Sequence, residues 1–409
     1  MIILDLPAYF YPETISSSHL DSDLHQALID AGVEIELFAA MPSRGVSESV
    51  RREFKSKKKE LLYDGALRVH RYPLYKEGKN PLSRALRYTL QCIKQFNRGV
   101  FSKDAKKCNL IFVASTPPIK GAMAALIKKC KHIPLVYNLQ DIFPDSLAGS
   151  GLAKKGGLLW EIGRRIEDFT YRNADRIIVI SEDFKNNILA KGVPKEKITV
   201  IYNWVDADAI KPVDKLENPL FEEFGLNRDL FTVVYAGNLG NAQNISIILD
   251  AAAILPSVQF AIFGTGGLES DIRSRISAGH LTNVHLNPLQ PYDRVSQVYS
   301  IGDACIVSCK PGLGGSAMPS KTWTIMSCGR PVIASFDEGE LKSIIEENDC
   351  GLFSHAGNVN EFVSIIEYLA NHKEVCAFMG ANARQFILDN LTKEIGTQKY
   401  VDVIKSLDN

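Results

Sequence analysis

Short apolar runs alternate with longer amphipathic stretches along the first half of the chain. Residues 2–6, 33–39, 109–114, 134–139, 176–180 and 199–202 are brief, continuous and rich in Ile, Leu and Val. Runs of that length read as strands buried on both faces. Between them, 18–31 carries Leu20, Leu24 and Leu28 on one helical stripe, and 119–129, 158–171 and 182–191 also read as helices, the last with Ser181 as N-cap. The pattern then lapses. Residues 206–228 hold Pro212 and Pro219, many charges and no apolar period, and read as a linker. It resumes with strands at 231–236, 259–263, 283–286, 304–308, 331–334 and 351–353, separated by helices. Strand–helix alternation in both halves predicts an α/β protein with two Rossmann-like domains and parallel sheets facing an interdomain cleft. The expected division is 1–205, 206–392, and a final helix at 393–409 that crosses back to the first domain.

Composition changes this picture in three places. The chain has 409 residues and a formal net charge of zero, but residues 41–110 hold 18 Lys and Arg against 6 Asp and Glu. That excess predicts a surface that meets something anionic. Within it, 51–60 is strongly basic and 81–101 forms a helix. On a helical wheel Arg84, Arg87, Lys94 and Arg98 fall on one side, beside an arc of Leu86, Leu90, Ile93, Phe96 and Val100. This is the pattern of an interfacial helix on an anionic membrane, or of a helix packed on its own core with a solvated basic face. The aromatic residues do not interleave as a stacking platform, so nucleic acid is not the expected partner. The eight cysteines show no CxxC pair, no apolar run is long enough to span a bilayer, and the N-terminus lacks the pattern of a signal peptide. A cytoplasmic protein, peripheral on the inner face of the cell membrane, is expected.

The candidate chemistry lies in the second half. Glycine clusters follow three of its strands, at 237–240, 264–267 and 312–315. Such loops let backbone N–H groups approach phosphate, although tight strand-to-helix turns need glycine as well. The spacing fits neither the dinucleotide fingerprint nor the Walker loop. Between Asp303 and Asp337 there is no acidic residue, while Lys310, Lys321 and Arg330 all fall there. Such a stretch is a poor place for a cation and a good one for a nucleoside diphosphate. Arg330 reads as a surface ion-pair partner rather than a ligand, and Trp323 as packing beneath the loop. Asp21-Ser-Asp23 and Asp206-Ala-Asp208 follow no nucleotide-binding strand, and no metal site is expected.

YFYPE (9–13), QDIFPDSL (140–147), IYNWVD (201–206), YAGNLGNAQN (235–244), FGTGG (263–267) and MPSKTWTIMSCGRPVIAS (318–335) occur in this order. Together they resemble the retaining glycosyltransferases of family 4, which have the GT-B fold, and especially the WbuB-like bacterial branch of surface-polysaccharide assembly. The resemblance implies a nucleotide-sugar donor, with UDP as the nucleotide and no further cofactor, and a lipid-linked glycan acceptor. Carried over residue by residue, it puts Lys310, Lys321 and Asp141 in the catalytic set. It puts Gly237, Asn238, Gly240, Gly264, Leu289, Gln290, Ser316, Ala317, Ser320 and Thr324 around the donor. Glu13, Ser17, Gln140 and Asn203 fall to the acceptor side or the hinge. Read without the resemblance, Asp141 is a turn or N-cap residue before Pro144.

The chain departs from the family pattern at three points. Ser316 and Thr324 stand where many members carry two glutamates. Asn238 and Gln243 or Asn244 stand where Arg and Lys often follow the phosphate loop. Gln140 stands where a histidine often precedes the aspartate. The first departure leaves open a non-catalytic nucleotide-sugar-binding subunit. A UDP-sugar 2-epimerase on the same fold would want carboxylates or histidines at the sugar.

Overall fold

The structure is a computed structural model that describes residues 1–13, 18–78, 80–145, 154, 156–314 and 318–408. It divides into two units, Met1–Tyr202 with Glu394–Asn409, and Asn203–Lys393.

The first unit is built on a sheet of β1 (Ile2–Asp5), β2 (Glu34–Ala40), β3 (Lys59–Leu62), β4 (Leu67–Tyr72), β5 (Leu110–Ala114), β6 (Leu135–Leu139), β7 (Arg176–Val179) and β8 (Ile198–Val200). Their spatial order is β3-β4-β2-β1-β5-β6-β7-β8. Every pairing is parallel except β3 with β4. The central strands are covered on both faces, which is why Ile3, Leu4, Ile35, Leu37, Ile111 and Val136 are all buried. The β3–β4 hairpin was not expected. β3 is four residues, Lys-Glu-Leu-Leu, with exposed and half-buried positions alternating, so its pattern is too short to signal a strand. A short, antiparallel edge strand that exposes Lys59 also discourages pairing with another chain.

The second unit contains β9 (Thr232–Asn238), β10 (Gln259–Thr265), β11 (Val284–Asn287), β12 (Ala304–Ser308), β13 (Val332–Phe336) and β14 (Gly351–His355). Their order is β11-β10-β9-β12-β13-β14, parallel throughout. This is the doubly wound Rossmann order. The chain leaves β9 toward β10 on one side and returns to β12 on the other, so a crevice opens at the carboxyl ends of β9 and β12. Val233, Tyr235, Phe260, Ile262 and Ile306 meet Ile248, Leu249, Phe362 and Ile366 in the core.

Residues 206–228 are not a linker. Asn218 is buried and donates to the Gln297 carbonyl at 2.7 Å, and Lys215 meets Asp303 at 2.9 Å. The backbone N–H groups of Lys211 and Val213 donate to the hydroxyls of Ser296 and Ser300. Ile210, Leu220, Phe221 and Leu226 are buried as well, but their spacing follows no single period, which is why periodicity did not reveal the segment. The helix Lys393–Lys405 packs on the first unit, with the buried Tyr400 ring edge-on to Phe112 and its hydroxyl donating to Asn138 Oδ1 at 3.1 Å.

Helix Pro81–Phe101 is present, but its basic side faces protein rather than solvent. Arg87 is fully buried and donates to the Tyr75 carbonyl; Lys94 donates to the Pro73 carbonyl; Arg98 lies over the Tyr72 ring. Arg84 meets Glu77 at 3.0 Å.

Candidate active site

The crevice of the second unit is built around Gly237. Side chains two apart on a strand share a face, so Tyr235 and position 237 point the same way. Glycine at 237 leaves room above the Tyr235 ring, and Lys321 Nζ occupies it, 4.1 Å from the ring centroid. A Cβ at Gly237 would lie 2.8 Å from that nitrogen, and its φ of +144° is one that few other residues adopt. The Tyr235 hydroxyl donates to the Asn238 carbonyl at 2.8 Å, fixing both the ring and the loop. Lys321 opens the helix Lys321–Ser327. Burial alone pushes its pKa down to about 8, and among the described residues no carboxylate lies within ion-pair distance of it. A cation held by a ring face and by no anion is well prepared to receive one.

Gly264 and Gly266 support this loop from behind. A Cβ at either would sit 2.4 Å from a backbone oxygen, that of Gly237 or of Leu239. Both glycines answer to close chain packing, and Gly264 buttresses the loop. Lys310 reaches the loop from the β12 side. Its N–H donates to the Ala242 carbonyl at 2.9 Å, and the Ser308 hydroxyl donates to the Gln243 carbonyl at 2.6 Å. Lys310 lines a cavity of about 260 Å³ together with Asn241, Asn244, Ser246, Asp271 and Arg275. Lysine from β12 thus stands beside the turn where Asn238 and Gln243 lack charge.

Gly312 and Gly314, the described glycines of the third cluster, already have a partner. Asp337, just past β13, accepts from the N–H groups of Gly312 at 3.0 Å and Gly314 at 2.7 Å. The stretch is acid-free in sequence, but the first carboxylate after it folds back onto it. Those two N–H groups therefore serve Asp337 rather than a phosphate. Two further readings resolve. Among the described residues Arg330 forms no ion pair; it donates to the carbonyls of Val213 and Ser300. Trp323 is buried and stacks on Phe386.

Of the other candidates, Thr324 lies one helical turn from Lys321 and is half-buried, while Ser320 is exposed. Gln290 follows β11 and accepts from Arg294 at 2.8 Å; Leu289 beside it is exposed. Ser316, Ala317 and Ser17 lie outside the described residues. Asn203 opens the second unit, beside Val205, which pairs with Thr392.

At the carboxyl ends of β5 and β6 in the first unit, the Ser115 hydroxyl accepts from the N–H groups of Gln140 and Asp141 at 3.0 and 3.1 Å. The Gln140 amide donates to Asn138 Oδ1, the same oxygen that Tyr400 bonds. Asp141 is exposed at that edge. Glu13 is buried and accepts from the N–H groups of Ser43 and Arg44 at 2.7 and 2.9 Å. Burial raises its pKa, and those N–H groups partly offset the rise.

One group among the described residues offers metal-type ligands, Glu36, His70 and Asp104. It is already balanced internally. His70 and Arg68 bond Glu36 at 2.6 and 2.7 Å, and Lys59 lies 3.7 Å from Asp104. A cation would have to displace them. Sequence reasoning missed Tyr235 and Asp337. The first was signalled by its i, i+2 relation to Gly237; the second had no local signal.

The family model for Glycosyltransferase Family 4 matches residues 22–209, and that for Glycosyl transferases group 1 matches 217–386. The chain belongs to glycosyltransferase family 4. Among curated relatives of this family-4 chain, WcaI of Escherichia coli K12, whose name gives it a glycosyl transferase role in colanic acid biosynthesis, is 29% identical over 69% of this chain and 71% of its own. WbjE of Pseudomonas aeruginosa, named as a glycosyltransferase, is 22% identical over 74% of this chain and 76% of its own. The solved structure of HepE from Anabaena in complex with UDP is 17% identical, covers 99% of this chain and 100% of its own, and superposes with a TM-score of 0.74. Sucrose-phosphate synthase from Thermosynechococcus elongatus is also 17% identical, covering 99% of this chain and 98% of its own at a TM-score of 0.78. These structures share the two-domain GT-B fold with this glycosyltransferase.

Proposed function

We propose that this glycosyltransferase acts with retention of configuration, moving an N-acetylated sugar from a UDP-sugar to a lipid-linked glycan during capsule, exopolysaccharide or O-antigen assembly. It works on the cytoplasmic face of the membrane, with no metal ion and no cofactor beyond the donor itself. The observation that carries this reading is the Lys321 ammonium held over Tyr235 at Gly237, in the switch-point crevice where open α/β sheets bind ligands. A relative named for colanic acid biosynthesis and a shared fold with a UDP complex support it.

In this reading the donor diphosphate lies along Gly237–Gly240, with Lys321 and Lys310 as its counter-charges. The bond from the sugar's anomeric carbon to the diphosphate breaks while the acceptor oxygen forms a bond on the same face. The acceptor proton passes to the departing phosphate oxygen, and the lysines stabilise the charge that develops there. Loss of one such contact costs about 3 kcal/mol. Thr324 meets a donor hydroxyl, Gln290 and Leu289 the base, and Asp141 with Gln140 orients the acceptor.

The test is transfer from UDP-N-acetylglucosamine and related donors to a polyprenyl-diphosphate-linked sugar, with and without EDTA, followed by NMR of the new linkage. Retained anomeric configuration and EDTA-resistant turnover are expected. Inversion would refute the stereochemistry, and EDTA sensitivity the metal independence. The alternative of a non-catalytic binding subunit has its own motive, the hydroxyl of Thr324 at a glutamate position. UDP binding with neither transfer nor donor hydrolysis would establish that alternative.

A further inference from the structure

Gln140 is half-buried and Asp141 exposed at the carboxyl end of β6, yet the side chains that hold them are buried. Ser115 follows β5 and is 3% exposed, and its hydroxyl accepts from the backbone N–H groups of both residues. The Ser115 N–H donates to the Asn138 carbonyl at 2.9 Å, which joins the ends of β5 and β6. One oxygen that accepts two successive N–H groups restrains the peptide between them. On the far side, Ile142 is fully buried. Asp141 therefore carries an exposed side chain on a backbone anchored before and after it. Surface loops are ordinarily the mobile parts of a fold. Anchoring of this kind presents a side chain in one direction.

The Gln140 side chain is held from another direction. Its amide donates to Asn138 Oδ1 at 2.9 Å, and the Tyr400 hydroxyl donates to the same oxygen at 3.1 Å. Asn138 is 7% exposed and Tyr400 1%. Tyr400 comes from the final helix, Lys393–Lys405, and lies 262 positions from Asn138 along the chain. A buried phenol needs a hydrogen-bond partner, and any backbone carbonyl would satisfy it. Here its partner is the side-chain oxygen that also orients Gln140. With both donors on Oδ1, the Asn138 amide cannot turn over without setting its NH2 group against that of Gln140. The Tyr400 ring is itself fixed edge-on to Phe112. A chain of buried contacts thus runs from Phe112 through Tyr400 and Asn138 to a side chain at the surface.

We propose that Tyr400, acting through Asn138, is a positioning residue for Gln140, and that Ser115 positions Gln140 and Asp141 together. The final helix then has a part in sugar transfer as well as in the fold of the first unit. The purpose assigned to this clamp rests on the reading that Gln140 and Asp141 orient the acceptor. The clamp itself rests on the bonds among Ser115, Asn138, Gln140 and Tyr400.

The test has two readouts on the full chain. Amide hydrogen exchange at Gln140 and Asp141 needs no substrate. Ser115→Ala and Tyr400→Phe should each speed it about fivefold while exchange in the remaining strands of the first unit stays as in the wild type. Ser115→Thr keeps the hydroxyl and should restore the slow rate. Unchanged exchange in either variant would overturn the role given to that residue, and so would faster exchange spread over the whole unit. The second readout is transfer from UDP-N-acetylglucosamine to a polyprenyl-diphosphate-linked sugar by Gln140→Ala, Tyr400→Phe and the double variant. Each single change should raise the KM for the acceptor about fivefold and leave UDP affinity unchanged. In the Gln140→Ala background, Tyr400→Phe should add nothing, because the group it positions is gone. Equal losses from Tyr400→Phe in both backgrounds would make it merely structural and overturn the proposal. A pair that is non-additive in the KM for the donor rather than the acceptor would support the positioning and refute the acceptor reading.

Discussion

Lys321 joins the two halves of the account, because it weakens the fold and serves the ligand. Its folded pKa of about 8 lies below the ordinary lysine value of 10.5. A basic group with a depressed pKa destabilises the fold wherever it is protonated in the unfolded chain, so the penalty is full below about pH 8 and vanishes as the pH rises toward 10.5. Lys321→Met should therefore raise the melting temperature by a few degrees at pH 7 and make little difference near pH 10, as scanning calorimetry at the two pH values would show. Donor binding runs the other way. A diphosphate needs the ammonium, so UDP affinity should fall about tenfold between pH 7 and pH 9. That fall should be absent in Lys321→Met. Titration at pH 7, 8 and 9 checks both. At Gly266, a Cβ would lie 2.4 Å from the Leu239 carbonyl oxygen, and the atom it meets is backbone that cannot swing away. Gly266→Ala should cost about 1–3 kcal/mol of stability and weaken UDP binding through the displaced loop, measurable by denaturant unfolding and titration.

Loops and strands separate cleanly by how much of them the sequence discloses. The buried strands were legible because their signal is local: short runs rich in apolar residues and bounded by polar turns. β3 was illegible because an edge strand with one wet side shows little hydrophobic pattern. The 206–228 segment was illegible because its buried apolar residues, Ile210, Leu220, Phe221 and Leu226, are irregularly spaced and its polar bonds reach residues some 80 positions away, such as Lys211 to Ser296. The glycine loops looked alike in sequence and differ in space. The 237 loop faces a cation, the 264 loop packs against its neighbour, and the 312 loop is capped by Asp337. Asp337→Ala distinguishes a capped loop from a phosphate cradle. It should lower stability by about 1–3 kcal/mol through the two N–H groups left unpaired and change UDP affinity less than threefold. A gain in UDP affinity would mean that Asp337 had been competing with phosphate.

On the scale of the whole chain, the sequence betrayed two sheets and uneven charge, but misjudged what that charge does. The basic excess of residues 41–110 was read as an outward-facing stripe. Much of it is spent internally, with Arg68 on Glu36, Arg71 on Glu60 and Arg87 beneath its helix. A helical wheel gives the angle between two stripes and not which of them faces the core, and here the apolar one faces out. The final helix belongs to the first unit through Tyr400, which is buried against Phe112 and bonded to Asn138. Deleting 394–409 should therefore lower the melting of the first unit and leave the UDP-stabilised transition of the second in place. Differential scanning calorimetry with and without UDP reads the two separately.

The central claim is that the crevice at the carboxyl ends of β9 and β12 is a nucleoside diphosphate site with Lys321 as its cation. Calorimetric titration of the wild-type chain and of Lys321→Ala with UDP, at pH 7, tests it most directly. The account predicts micromolar binding by the wild type and a loss of tenfold or more, about 1.4 kcal/mol, in the variant. Absence of UDP binding to the wild type, or equal affinity in the variant, would contradict it.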